Sequence, residues 1–140
     1  MHVIRYCFSV TVGLALCVTS SIAASSGIQH ANVFALGGVG YAGVMSDGEK
    51  ALRATLAEAD ATKRLETMFL GATDAGRLYI LVGLRMRDRS VYRRVLALCS
   101  DHENMVQTMR GCIGDHESFR SLVHEINRGD FDSFLKRHPW

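Results

Sequence analysis

The sequence predicts an all-α fold: a compact array of about six short antiparallel helices, paired as helical hairpins, around a buried central helix and preceded by a glycine-rich segment. Three observations predict it. Leu78-Tyr79-Ile80-Leu81-Val82-Gly83-Leu84 is apolar in every direction around a helix drawn through it, the mark of a helix buried on all sides. The segments around it carry single apolar stripes at helical spacing. The loops between them are only about two to four residues long, which forces neighbouring helices to run antiparallel.

Each element has its own justification. The central stretch runs from Thr73 to Met86, with Thr73 or Asp74 as N-cap and a glycine at two interior positions where neighbours approach. Arg77 and Arg85 bracket its apolar run, which falls far short of the roughly 20 residues that span a bilayer. Val33 to Leu36 is a short apolar run, and Gly37, Gly38, Gly40 and Gly43 follow it. Glycine so dense among Val39, Tyr41 and Ala42 is unlike a solvated linker; it predicts an ordered strand or turn lying on the core. Ser46-Asp47-Gly48-Glu49 reads as a capping box, a hydroxyl and a glutamate three residues on, each reaching the other's amide. The helix it opens carries Ala51, Leu52, Thr55 and Leu56 inward. Asp60 caps the next, with Leu65, Met68 and Phe69 on one face and Gly71 as its stop. After the central helix, Asp88 or Ser90 caps a fourth with Val91, Tyr92, Val95, Leu96 and Cys99 inward. Asp101 to Gly114 is a helical turn or extended chain. Asp115 caps a further helix with Phe119, Leu122, Val123 and Ile126 inward, ended by Gly129, and a last short helix carries Phe131, Phe134 and Leu135. Helix starts recur at about 27 to 29 residues, a spacing that faintly resembles short HEAT-like repeats, although the side chains do not repeat.

Residues 1–23 read as a signal peptide: Arg5, the apolar run Val10 to Val18, and Ser21-Ile22-Ala23 with small residues where a signal peptidase cuts. Residues 24–45 form a leader and the glycine-rich segment, and 46–140 a single helical domain. The expected address is therefore periplasmic or secreted. Lipid anchoring at Cys17 is disfavoured because Leu16 stands where a small residue belongs, and no stable membrane span remains after processing. Of 16 basic and 14 acidic side chains, only Arg5 leaves with the signal. The mature charge is about +1, which argues against a nucleic-acid partner. Cys7 and Cys17 leave as well, so Cys99 and Cys112 are expected to pair as a disulfide in an oxidising compartment, closing a loop of about 14 residues.

Several patterns resemble chemistry. Gly38-Val39-Gly40-Tyr41-Ala42-Gly43 matches a dinucleotide fingerprint, but no second parallel strand and terminal acid follow it, so no cofactor is expected. Asp101-His102-Glu103 and Asp115-His116-Glu117 offer metal-ligand types; a small metal protein built on His102 and His116 with Asp115 and Glu117 is the alternative reading. Aspartate followed by glutamate is also ordinary helix-start chemistry. No nucleophile elbow occurs, and catalysis is not expected. The remaining feature is basic: Arg85, Arg87, Arg89, Arg93 and Arg94 cluster around Asp88. Guanidinium forks suit carboxylates, so this corner is the expected contact surface for a protein partner with an acidic face. The function expected is protein binding, as an inhibitor or immunity-like protein, an accessory subunit or an envelope adaptor.

Overall fold

The computed structural model describes residues 27–99 and 103–136. Short strands β1 (Val33–Phe34), β2 (Gly38–Val39) and β3 (Val44–Met45) come first. Four helices follow: α1 (Asp47–Leu56), α2 (Ala61–Met68), α3 (Asp74–Arg87) and α4 (Arg89–Leu96). Strands β4 (Met105–Arg110) and β5 (Ile113–Ser118) then form a hairpin, and α5 (Phe119–Arg128) and α6 (Asp132–Lys136) complete the described chain. Single 3-10 turns, Phe69–Gly71 and Ala97–Cys99, extend α2 and α4.

The central helix is as the apolar pattern demands. Thr73 caps α3 by accepting from the Gly76 amide, and every residue from Leu78 to Leu84 is buried. Helices α1, α2, α4 and α5 and strand β1 all pack on it. Full burial of a leucine or isoleucine contributes roughly 1.5–3 kcal/mol, so Leu78, Ile80, Leu81 and Leu84 form the densest part of the core. The two interior glycines sit at the closest approaches. A Cβ on Gly76 would lie 2.4 Å from the Ile28 carbonyl oxygen, and one on Gly83 2.9 Å from the Leu52 and Leu65 methyls.

The all-α expectation is overturned. The described chain is about 60% helical, but it holds a three-stranded mixed sheet, order β1-β4-β5, and a two-stranded sheet, β2-β3. Val33 and Phe34 pair in parallel with Gln107 and Thr108. A parallel pair needs a long crossover, and α1 to α4 supply it. The uncertain segment after Asp101 is therefore strand. In β4 the β-branched Val106 and Thr108 point inward while Met105 and Gln107 are exposed, the period of two that a half-buried sheet requires. Gly111, at φ 60°, makes the turn. Asp115 caps no helix; it pairs with Thr108 inside β5, and its Oδ1 accepts from the His116 amide at 2.7 Å. Helix α5 starts three residues later than expected, with Ser118 as cap accepting from the Ser121 amide. Strand β5, Ile-Gly-Asp-His-Glu-Ser, has one good strand former among its six residues. Pairing with β4 outweighs its weak propensity.

The expected disulfide is also absent: Cys99 and Cys112 are both free thiols. Cys99 is buried at the end of α4, whereas Cys112 is exposed in the hairpin turn. Six residues of β4 carry Cys112 about 20 Å from the base of the hairpin. That base stays at the Cys99 end, where Phe119 donates its amide to Asn104 and shares a small cavity with Cys99. The predicted signal peptide lies outside the described residues. No described helix is long and apolar enough to cross a membrane.

Candidate functional site

The glycine-rich segment and the second hairpin meet at one end of the molecule. After Phe34 the chain leaves β4 and returns to it at Val39, which bridges Gly111, while Gly40 donates its amide to the Gly111 carbonyl at 2.9 Å. Between the two contacts the chain and β4 enclose a gap. It is a cavity of about 150 Å³ with Phe34, Leu36 and Met109 on its sides and Leu122, Phe131 and Phe134 behind, comparable to apolar cavities that take up a benzene-sized molecule. Its wall is overwhelmingly apolar. Phe34 meets Phe131 edge to face at 5.2 Å between ring centres.

Beside the cavity lies a second depression of about 210 Å³, lined by Gly43, Met45, Glu49 and Arg53 and sharing Gly37, Gly38 and Phe134 with the first. Here the capping box is half made. Ser46 Oγ accepts from the Glu49 amide at 3.1 Å, but the Glu49 carboxylate does not reach back to the Ser46 amide. It turns inward instead. Its Oε2 accepts from the Gly37 amide at 2.8 Å, and its Oε1 takes both Nε and Nη2 of Arg53, at 2.9 and 2.7 Å. Arg53 Nη2 also donates to the Phe134 carbonyl at 2.7 Å. The two side chains are 2% and 11% exposed, so this pair is shielded from screening. It ties the glycine-rich segment, α1 and α6 together. Gly37 has φ +88°, and a Cβ there would lie 2.8 Å from the Phe134 ring; only glycine serves both demands.

A second polar centre holds the same segment from below. Ala35 donates its amide to Tyr79 Oη at 2.9 Å, and Tyr79 Oη donates to the Ala35 carbonyl at 2.9 Å. Ser46 Oγ donates to that carbonyl at 2.8 Å. Burial pushes the Tyr79 phenol above its ordinary value, against the hydrogen bonds to Ser46 and Ala35 that lower it. On the hairpin, Arg110 pairs with Glu117 and Glu125 at 2.9 and 2.8 Å and lies over the Phe131 ring. Glu117 also accepts from the Thr108 hydroxyl at 2.8 Å.

Three large apolar side chains stand exposed around this end. Tyr41 is fully exposed, Val44 is 58% exposed and Ile113 71%. Val44 pairs with Val39, and Ile113 with Arg110. They therefore flank the two turns that touch at Gly111.

The arginine corner is divided by the fold. Arg85 grips Asp132 through Nε at 3.1 Å with only 10% of its side chain exposed, and Arg94 pairs with Glu66 at 2.6 Å. Arg87, Arg89 and Arg93 are exposed. Arg85 brings the corner towards the cavity, because Asp132 follows the cavity-lining Phe131.

The metal residues are not assembled. His102 lies outside the described residues. Asp115, His116 and Glu117 are consecutive in a strand, so His116 projects from the opposite face to its neighbours, and Glu117 is committed to Thr108 and Arg110. Among the described residues no group of three His, Cys, Asp or Glu side chains gathers. A wider groove, about 400 Å³, runs past Leu96, Cys99, Arg120, Val123, His124 and Asn127. Its thiol is no nucleophile: burial pushes Cys99 up to about 11, and Sγ donates to the Val95 carbonyl at 3.8 Å. The dinucleotide-like glycines form the β2-β3 turn, with no helix start among them.

The fold and this end together define a mostly helical protein with two small sheets and an apolar, pocketed edge. Comparison of the chain with protein-family models, with curated proteins and with solved structures found no match in any of the three. Glu49 is the site residue sequence reasoning missed. Its signal was a glutamate at N3 beside Arg53 four residues on, which reads equally well as capping and as a surface pair.

Proposed function

We propose that this is an exported protein that acts by binding a protein partner, and that it does so through the end where its two hairpins meet. The observation that carries the reading is that Tyr41, Val44 and Ile113 stand exposed beside the two turns whose Gly38 and Gly111 line an apolar cavity. Exposed large apolar groups gathered at one place mark interaction surfaces, whereas scattered ones need no explanation. An aromatic or aliphatic side chain of the partner would fill the cavity as the buried anchor, and Tyr41 would fold over it. The exposed arginines Arg87, Arg89 and Arg93 suit carboxylates at the margin of the same partner. Export rests on the Arg5, Val10–Val18 and Ser21-Ile22-Ala23 pattern.

Site-specific photocrosslinking in the native host tests this. A benzophenone side chain replaces Tyr41 in one strain and Leu70 in another. Leu70 is 76% exposed but lies beside Arg77, at the opposite end of α3. One discrete adduct from position 41 and none from position 70 is the expected result. Equal adducts from both positions, or none from position 41, would overturn the reading. Replacing Arg87, Arg89 and Arg93 by Glu should weaken the position-41 adduct.

A further inference from the structure

We propose that the free edge of β5 is a docking site for an extended, basic segment of a partner protein, which joins the sheet as a fourth strand. The proposal rests on the reading that the chain binds a protein, but it concerns an adjoining surface, which shares Ile113 with the first, and a different kind of contact.

The sheet order β1-β4-β5 leaves β5 at the edge among the described residues. Its six residues pair with β4 without a break, from Ile113 opposite Arg110 to Ser118 opposite Met105. In such a ladder alternate residues aim their amide and carbonyl at the neighbour, and the others aim theirs outward. Of the outward backbone groups of residues 113–117, the His116 amide is taken up by the Asp115 carboxylate at 2.7 Å, a local bond that an incoming strand displaces, and no other described residue bonds them. The edge carries no proline and no bulge, two common ways in which a sheet protects such a strand.

Its side chains decide what fits. Ile113, Asp115 and Glu117 lie opposite Arg110, Thr108 and Val106, so they share the face on which Val106 and Thr108 are buried. Together with Glu125, three carboxylates stand there against the single guanidinium of Arg110, which leaves an excess of negative charge. A second copy of this chain is a poor occupant. A two-fold antiparallel β5 pair with matching faces sets either Asp115 opposite Asp115 or Asp115 opposite Glu117 in its long registers, and like charges directly opposite are destabilising. A strand with Lys or Arg at those two positions makes both pairs favourable. Running antiparallel to β5, its sequence is basic-x-basic-x-apolar, the apolar residue meeting Ile113. Backbone pairing gives the affinity and the alternate side chains the selectivity.

The probe is the blocked heptapeptide Thr-Lys-Thr-Lys-Thr-Val-Thr, titrated into the ¹⁵N-labelled full chain. Two measurements are made: affinity, and hydrogen exchange of the β5 amides. Binding should slow exchange at alternate β5 residues and weaken with salt. The same peptide with Glu for Lys should bind at least tenfold more weakly, as should the Lys peptide to Asp115→Lys. Asp115→Asn, the milder variant, should fall between. Methylating the peptide's pairing amides should abolish binding. Equal affinity for the Lys and Glu peptides, absence of binding, or protection confined to other elements would overturn the proposal. So would self-association of the chain that protects the same β5 amides without peptide, because the occupant would then be a second copy. Failure here leaves crosslinking from position 41 untouched, and loss of that crosslink leaves peptide binding at β5 untouched.

Discussion

Replacing Glu49 by Ala should be among the most damaging single changes in this protein. The Glu49 side chain is 2% exposed and accepts three hydrogen bonds, one from the Gly37 amide and two from Arg53. Removing it strands a shielded guanidinium and a backbone amide together. Breaking a buried pair on one side costs about 3–5 kcal/mol, a large share of the roughly 5–15 kcal/mol that holds a domain folded. The expected change is a fall of about 3–4 kcal/mol in urea unfolding and about 10–20 °C in the melting temperature. Glu49→Gln keeps one acceptor but removes the charge opposite Arg53 and sets an NH2 donor against one of the two donors, so it should lose about 2–4 kcal/mol. The double variant Glu49→Leu with Arg53→Met removes both charges and fills the space. It should lose less than Glu49→Ala, since a packed apolar pair often replaces a buried ion pair at little cost. A loss below about 1 kcal/mol for Glu49→Ala, or a double variant worse than the single, would refute the claim that this pair clamps the glycine-rich segment.

Three further outcomes are expected. With a thiol reagent at pH 8, Cys112 should react at once, while Cys99, with only about one thiolate in a thousand at a pKa near 11, should react only on unfolding; mass spectrometry of the adducts separates the two. Gly76→Ala should be destabilised by about 3 kcal/mol or more, and Gly83→Ala by less. The first Cβ would meet the rigid Ile28 carbonyl and the second the mobile ends of two leucines; denaturant midpoints give the comparison. Stability should decline as pH rises past 10, because the folded state holds the Tyr79 proton more tightly than the unfolded chain does. Tyr79→Phe should flatten that decline and cost about 1–3 kcal/mol at neutral pH by leaving the Ala35 amide without an acceptor.

The helices were legible because their causes are local. Thr73, Asp88 and Ser46 each cap the helix that the sequence assigned to them, and the unbroken apolar run of α3 forced it to the centre. The β4-β5 hairpin was not legible. Asp115-His116-Glu117 offers an aspartate cap and a first-turn glutamate, ordinary helix-start chemistry, although Ser118 stands where the glutamate of the Ser46 capping box would be. The difference is that Val106 and Thr108 find buried places beside Phe34, and β5 follows β4 into the sheet. The cysteines were misassigned for the same reason, since the strand moves one of them away.

The sequence by itself determined the helical core, its order and the caps at Ser46, Thr73 and Asp88, because hydrophobic periodicity and capping act within a turn or two of the chain; Asp60 makes no side-chain cap bond, and Asp115 caps no helix. Tertiary structure alone decided that a capping glutamate becomes a buried clamp, that two glycine-rich turns meet at Gly111, and that β5 is left with an open edge. Those outcomes depend on pairings between Val33 and Gln107 and between Val39 and Gly111, residues too far apart along the chain for any local pattern to register their contact.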